Sequence, residues 1–205
     1  NSYPSITIET YTLDDDALAN DYNTMVTYFG NTQGNYGTDY IFTSLKSRAA
    51  ISCKNASSPW SAESGVSGTN LLDDPKLHHL VGIITYDSIY LYIDGKRINA
   101  SAVSNNNKIY NLSTRYAYLC KSGYLADKTW IGKVLEFNIY SGVMDTATIS
   151  ARAKNIPMED STKDATLSMI KVNGVLVKDF VSYKLNYKIL LPYGTNIVPE
   201  ILATP

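Results

Sequence analysis

Histidine and cysteine are nearly absent, with two of each in 205 residues. No Cys-x-x-Cys spacing exists to hold a structural zinc, and His78 and His79 are the only imidazoles a nucleophilic triad could use. Adjacent residues on a strand point to opposite faces, so the two imidazoles do not converge on one point. Charge of one sign is missing too: 18 Lys and Arg stand against 19 Asp and Glu, a net charge of −1. Without a basic stripe to meet phosphates, nucleic acid is excluded as a partner. No apolar run approaches the ~20 residues of a membrane-spanning helix, and no Gly-rich phosphate loop occurs. The opening residues are strand-like, so a strand rather than a signal peptide is expected there. Cys53 and Cys120 each lie in a strand-like run, either as free, core-facing small hydrophobes or as one bridge between strands.

Tyrosine is abundant, at 17 residues against 4 Phe, and suits β-surfaces that are apolar on one side and wet at the tip. The clearest local grammar runs from His78 to Lys96. Leu80–Tyr86 and Ile89–Ile93 are short apolar runs separated by Asp87-Ser88, and Asp94-Gly95 supplies a second turn tolerant of positive φ. Ile89, Leu91 and Ile93 face one way, Tyr90 and Tyr92 the other. Leu80, Val81, Ile83 and Ile84 make both faces of the first arm apolar, which places it mid-sheet. Further strands are expected at SITIETYT, Thr24–Gly30, Tyr40–Leu45 paired with Ser47–Asn55, and Tyr116–Cys120. Leu13–Asn23, Asn31–Asp39, Ala56–Asp74 and Asn99–Leu112 read as polar loops. Asp145 is placed to cap a short helix, Thr146–Ala153.

The segment HHLVGIITYDSIYLYIDGK resembles the W-H-H-V … Y-D-G … L-Y-V-D-G-K stretch of bacterial laminin-G-like domains, the concanavalin A-like lectin/glucanase jelly rolls. Leu77 stands where that family has Trp. SITIETYT resembles its F-T-I-S-A-W-V strand, with Tyr11 at the Trp position, and Thr129–Asp145 resembles its closing strand, with Trp130 at a packing position. The resemblance covers about residues 3–155 and implies an all-β, two-sheet antiparallel sandwich. One or two strands that normally come first are expected on a part outside this sequence. After the linker 155–163, residues 164–205 carry a Val172-Asn173-Gly174-Val175 turn and resemble the opening half of cadherin-like or Ig-like repeats. The expected division is a jelly roll over 1–154 and a small, incomplete Ig-like β module over 164–205.

Catalytic glucanases of this jelly roll carry Glu-x-Asp-x-x-Glu, because glycoside hydrolysis needs an acid and a nucleophile or base flanking the bond. That spacing is missing: Glu9 is alone on its strand, and Glu136 has Leu135 and Asn138 as neighbours. The resemblance therefore implies a non-catalytic module that binds a glycan or polysaccharide. It would belong to a longer bacterial secreted or cell-surface protein, as an accessory to a glycoside hydrolase. The alternative is a structural or adhesive protein-interaction module of a surface or phage virion protein.

Sugar binding needs an aromatic platform for the C–H face of a pyranose, with amides and hydroxyls around it. Trp60, in the polar segment SSPWSAES, is the first candidate, the alternative being that it folds back to plug its own loop. Tyr36, Tyr40 and Tyr124 are candidates at the same rim, each with a packing role as its alternative. Calcium, frequent in this family, would take Asp14 and Asp16 or Asp73-Asp74 as oxygen donors, the alternative being solvated acids.

Overall fold

The computed structural model describes residues 4–14, 24–31, 39–45, 48–53, 59–69, 72, 76–155, 169–178, 180 and 199–204. The chain divides into two compact units, Asn1–Pro157 and Met158–Pro205.

In the first unit β1 (Ser5–Asp14), β2 (Met25–Gly30), β3 (Tyr40–Ser44), β4 (Arg48–Ser52), β5 (Ser64–Ser67), β6 (Leu77–Thr85), β7 (Ser88–Ile93), β8 (Lys96–Ala102), β9 (Tyr116–Leu119) and β10 (Gly132–Ser141) follow one another, before helix α1 (Thr146–Lys154). They form two five-stranded sheets, ordered β10-β1-β6-β7-β8 and β5-β4-β3-β2-β9, with every pairing antiparallel. This is the jelly-roll sandwich expected from the sequence. β6 is the middle strand of the first sheet, as its two apolar faces require. Leu80 and Ile84 enter the core between the sheets, while Val81 and Ile83 form a second cluster with Tyr92 and Ile149.

The turn between β7 and β8 has Asp94 at φ 50° and Gly95 at φ 78°, the pair of left-handed residues that a two-residue hairpin demands. Asp94 then ties back: its carboxylate accepts from the His79 N–H at 3.0 Å and lies 2.9 Å from His78 Nδ1. The sheets approach closely beside Gly82, where a Cβ would stand 3.0 Å from Thr43 Cγ2 and 3.2 Å from Ala49 Cβ. Asp145 caps α1, accepting from the Thr148 N–H at 2.9 Å.

Three expected loops prove partly regular. β1 runs on through Asp14. Ala56–Asp74 contains a 3-10 turn, Pro59–Ala62, and the edge strand β5. Asn99–Leu112 begins inside β8 and holds a second 3-10 turn, Ile109–Asn111. β5 (SGVS) and β8 (KRINASA) are edge strands held by ladder hydrogen bonds, with too few buried apolar side chains to leave a period-two pattern in the sequence.

Both cysteines are free thiols. Burial, and after it the Asp39 carboxylate, push the Cys53 thiol up to about 12. Because the thiolate is the reactive form, iodoacetamide at pH 8 is expected to leave Cys53 unlabelled in the folded protein. Titration in urea should return two thiols, and a count of zero would restore the bridge.

In the second unit β11 (Met169–Val172), β12 (Val175–Leu176) and β13 (Ile201–Thr204) form a three-stranded antiparallel sheet, ordered β12-β11-β13. Its Asn173-Gly174 turn repeats the left-handed geometry, at φ 50° and 81°.

Candidate functional site

The face of the second sheet turned away from the inter-sheet core is built from rings. Period two puts Tyr40 and Phe42 of β3 on that face, and Tyr116 and Tyr118 of β9 likewise. Tyr116 stacks on Tyr118 at 6.1 Å between centroids, Tyr118 on Tyr28 at 6.1 Å, and Tyr28 lies 5.6 Å from Tyr40. Tyr40 meets Tyr124 edge-on at 5.9 Å, and Tyr124 meets Trp60 edge-on at 5.6 Å. The row is buried in the middle, at Tyr28, Tyr40 and Phe42, and surfaces at Trp60, which is 54% exposed.

The 3-10 turn carrying Trp60 is pinned at both ends. Ser52 Oγ donates to the Pro59 carbonyl at 2.8 Å, and Asn107 Nδ2 to the Ala62 carbonyl at 2.6 Å. Next to it, Glu63 accepts from the Tyr40 hydroxyl and, at 2.8 Å, from Arg48 Nη2, while the Arg48 guanidinium sits 5.3 Å above the Phe42 ring. Burial first, and then the Glu63 carboxylate, push the Tyr40 phenol far above its ordinary range. It stays a donor at any working pH.

Of the four sugar candidates, the structure brings Trp60, Tyr40 and Tyr124 into one contact chain. Trp60 is a surface ring braced by Tyr124, not a plug. Tyr40 is not at the rim: it is fully buried and acts as the floor, because the inward face of β3 is already filled by Ile41 and its own face is roofed by Tyr124. Tyr36 and Asp16 lie outside the described residues, as do Asp73 and Asp74. Asp14 does not fit a loop calcium ligand. It ends β1 inside the sandwich, where its Oδ1 accepts from the Trp130 indole at 3.0 Å. Among the described residues, no group of three or more His, Cys, Asp or Glu could hold a metal, and no helix is long and apolar enough to cross a membrane.

A second polar cluster was not legible in the sequence. On the opposite face of the first sheet, under α1, Glu9 accepts from Arg152 Nε at 2.6 Å, His79 Nε2 at 2.7 Å, Tyr140 Oη at 3.0 Å and Asn138 Nδ2 at 3.1 Å. Glu136 shares two of those donors, Asn138 Nδ2 at 2.6 Å and Arg152 Nη2 at 3.0 Å. Glu9 is therefore not alone. Burial would raise its pKa, but the four donors outweigh burial and hold it at about 2. With no solvent exposure, Glu9 stays ionised down to about pH 2 and is engaged in accepting these four bonds. Bridged by Arg152, the two carboxylates dock a helix.

A laminin-G-type family model, described as the concanavalin A-like lectin/glucanases superfamily, matches residues 7–150. Among solved structures, the CBM40 of the Ruminococcus gnavus IT-sialidase, bound to alpha2,3 sialyllactose, superposes with a TM-score of 0.56 at 11% identity, covering 74% of this chain and 84% of that one. Domain 4 of AbnA, a GH43 extracellular arabinanase from Geobacillus stearothermophilus in complex with arabinotriose, gives 0.52 at 14% identity, covering 75% and 68%. The NanB sialidase from Streptococcus pneumoniae gives 0.54 at 14% identity over 83% of this chain, which corresponds to 28% of that enzyme. At these identities the likeness is one of fold. No curated protein sequence matches the chain.

Proposed function

The chain belongs to the concanavalin A-like lectin/glucanase superfamily, and from that premise we propose that its first unit is a non-catalytic carbohydrate-binding module. It serves a longer bacterial protein, secreted or displayed at the cell surface, as an accessory to a glycoside hydrolase. Residues 164–205 are the opening part of an Ig-like spacer in the same parent chain.

The single observation that carries this reading is the half-exposed Trp60 ring, fixed edge-on by Tyr124 above the Tyr40–Glu63–Arg48 cluster. A large apolar ring held in place on the surface is costly in water and ready for the C–H face of a sugar. The fixed guanidinium and carboxylate beside it can bond ring hydroxyls in a set direction. Support comes also from the fold neighbours, two of which are bound to sialyllactose and arabinotriose.

Affinity electrophoresis and a glycan array, run on wild type and Trp60→Ala, test it. Loss of an aromatic anchor is expected to cost about 2 kcal/mol, roughly 30-fold in Kd. Wild-type protein that binds no glycan at millimolar concentration would instead favour the adhesive, protein-binding module.

A further inference from the structure

The polar half of the Trp60 site is an ion pair held by the strands beneath it. Arg48 opens β4, opposite Ser44 of β3 and Ser67 of β5, and shares the outward face of the sheet with Ala50 two residues on. Its guanidinium lies 5.3 Å above the Phe42 ring and donates through Nη2 to Glu63 Oε2 at 2.8 Å. The other carboxylate oxygen of Glu63 accepts from the Tyr40 hydroxyl. The Glu63 N–H meets the Trp60 carbonyl at 3.4 Å, closing the turn that carries the indole. Both members reach the surface, with 24% of the Arg48 side chain and 13% of the Glu63 side chain exposed. The pair therefore stands within one turn of Trp60, with Phe42 under one end and Tyr40 tied to the other.

A guanidinium has five N–H donors and a carboxylate about four acceptor positions, so each group keeps capacity to bond a ligand after bonding the other. Their charges, however, cancel. A sugar hydroxyl both donates and accepts, and can bridge Arg48 and Glu63. A sugar carboxylate only accepts: it finds the guanidinium already matched by Glu63 and has that second anion alongside. Like charges brought together at a desolvated contact oppose binding, whereas an arginine without its own carboxylate is a ready fork for an acid. Lys121, the cation on the same row of rings, sits 5.2 Å over Tyr118, at the opposite end from Trp60.

We infer that Glu63 sets the ligand class of the Trp60 site: by occupying Arg48 it selects a neutral polysaccharide and turns away uronic and other acidic sugars. This inference rests on the glycan-binding reading above and deepens it.

Native gels cast with arabinan or β-glucan as neutral polymers and polygalacturonate as the acidic one test it. They are run on the full chain at low ionic strength, because salt screens exposed charges. Wild type is expected to be retarded by a neutral polymer and not by polygalacturonate. Glu63→Gln keeps an acceptor for Tyr40 and releases the Arg48 charge, so its affinity for polygalacturonate should rise about tenfold or more and vanish again in Glu63→Gln/Trp60→Ala. Glu200→Gln removes the same charge from an exposed position in the second unit and should gain nothing. Thermal melts confirm folding, and Glu63→Ala/Tyr40→Phe, which leaves no phenol without its acceptor, carries the same expectation where Glu63→Gln does not fold. Wild type that binds polygalacturonate as tightly as any neutral polymer, or a Glu63→Gln that gains nothing, would overturn the role of Glu63 and leave the glycan-binding reading in place. Wild type unretarded by every polymer overturns both.

Discussion

Glu9→Ala is expected to destabilise the first unit by about 3–5 kcal/mol, the cost of leaving the partners of a buried ion pair without their counter-charge. The carboxylate side chain has no solvent exposure, and His79 beside it has none either. Because ionised Glu9 can only accept, His79 Nε2 carries the proton and donates it. Removing the acceptor leaves the buried imidazole N–H without its partner and Arg152 with the Glu136 carboxylate alone. α1 has nine residues, too short to be helical on its own. Its attachment includes Ile149 in the cluster with Val81 and Ile83, the Arg152 ion pair, a 3.0 Å bond from the Tyr11 hydroxyl to the Arg152 carbonyl and a 2.9 Å bond from Ser150 Oγ to the Gly95 carbonyl. Hydrogen exchange in 146–154 should therefore rise in the variant before exchange in β6 or β7 does.

Acid acts on the same group. The folded-state pKa of Glu9, at about 2, lies below the 4.5 of an unperturbed glutamate. The unfolded chain takes up its proton first as pH falls, so stability is fully present above pH 4.5 and drains away down to about pH 2. The span corresponds to about 3 kcal/mol. Urea unfolding at pH 7, 4.5 and 2.5 on wild type and Glu9→Gln measures it, and an equally steep acid loss in the Gln variant would remove Glu9 from the account.

How much of this was legible in the sequence depends on what each signal is made of. The β6–β7 hairpin and the turn after it were visible because alternation and an Asp-Gly turn are local, and β6 announced its central place by having apolar residues on both faces. β5 was invisible because an edge strand with one buried apolar residue, Val66, is held by its ladder bonds alone. The site divides in the same way. Trp60 could be picked out as an aromatic in polar surroundings. Arg48 and Glu63 could not, since they are brought together across 15 residues by strand pairing. Nor could Glu9, whose partners Asn138, Tyr140 and Arg152 lie at the far end of the unit's sequence. A residue type names a donor or an acceptor; only register says what it meets. The Tyr116-x-Tyr118 and Tyr40-x-Phe42 spacings did carry a usable hint, because on a strand period two alone puts both members of such a pair on one face.

Trp130→Ala should be the most damaging change at the other end of the sheet. The ring is 3% exposed and belongs to the cluster between the sheets, with Phe29 and Val134. Truncation of a buried tryptophan costs about 3–5 kcal/mol through lost burial and the cavity left behind. Two further consequences follow from its neighbours. A Cβ at Gly132 would collide with the Trp130 ring and the Leu13 carbonyl, so the glycine exists to admit the indole, and its bare backbone would line the void. Asp14, 5% exposed, would lose the indole N–H that its Oδ1 accepts. Trp130→Phe separates these effects: it keeps most of the volume and drops only the hydrogen bond, for about 1–3 kcal/mol. With two tryptophans in the chain, Trp60→Phe leaves Trp130 as the sole indole fluorophore. Its emission should be blue-shifted and shielded from acrylamide until the sheets part. Emission from Trp60→Phe that is quenched freely in the folded state would place the indole in water and end the argument for Asp14 as its buried partner.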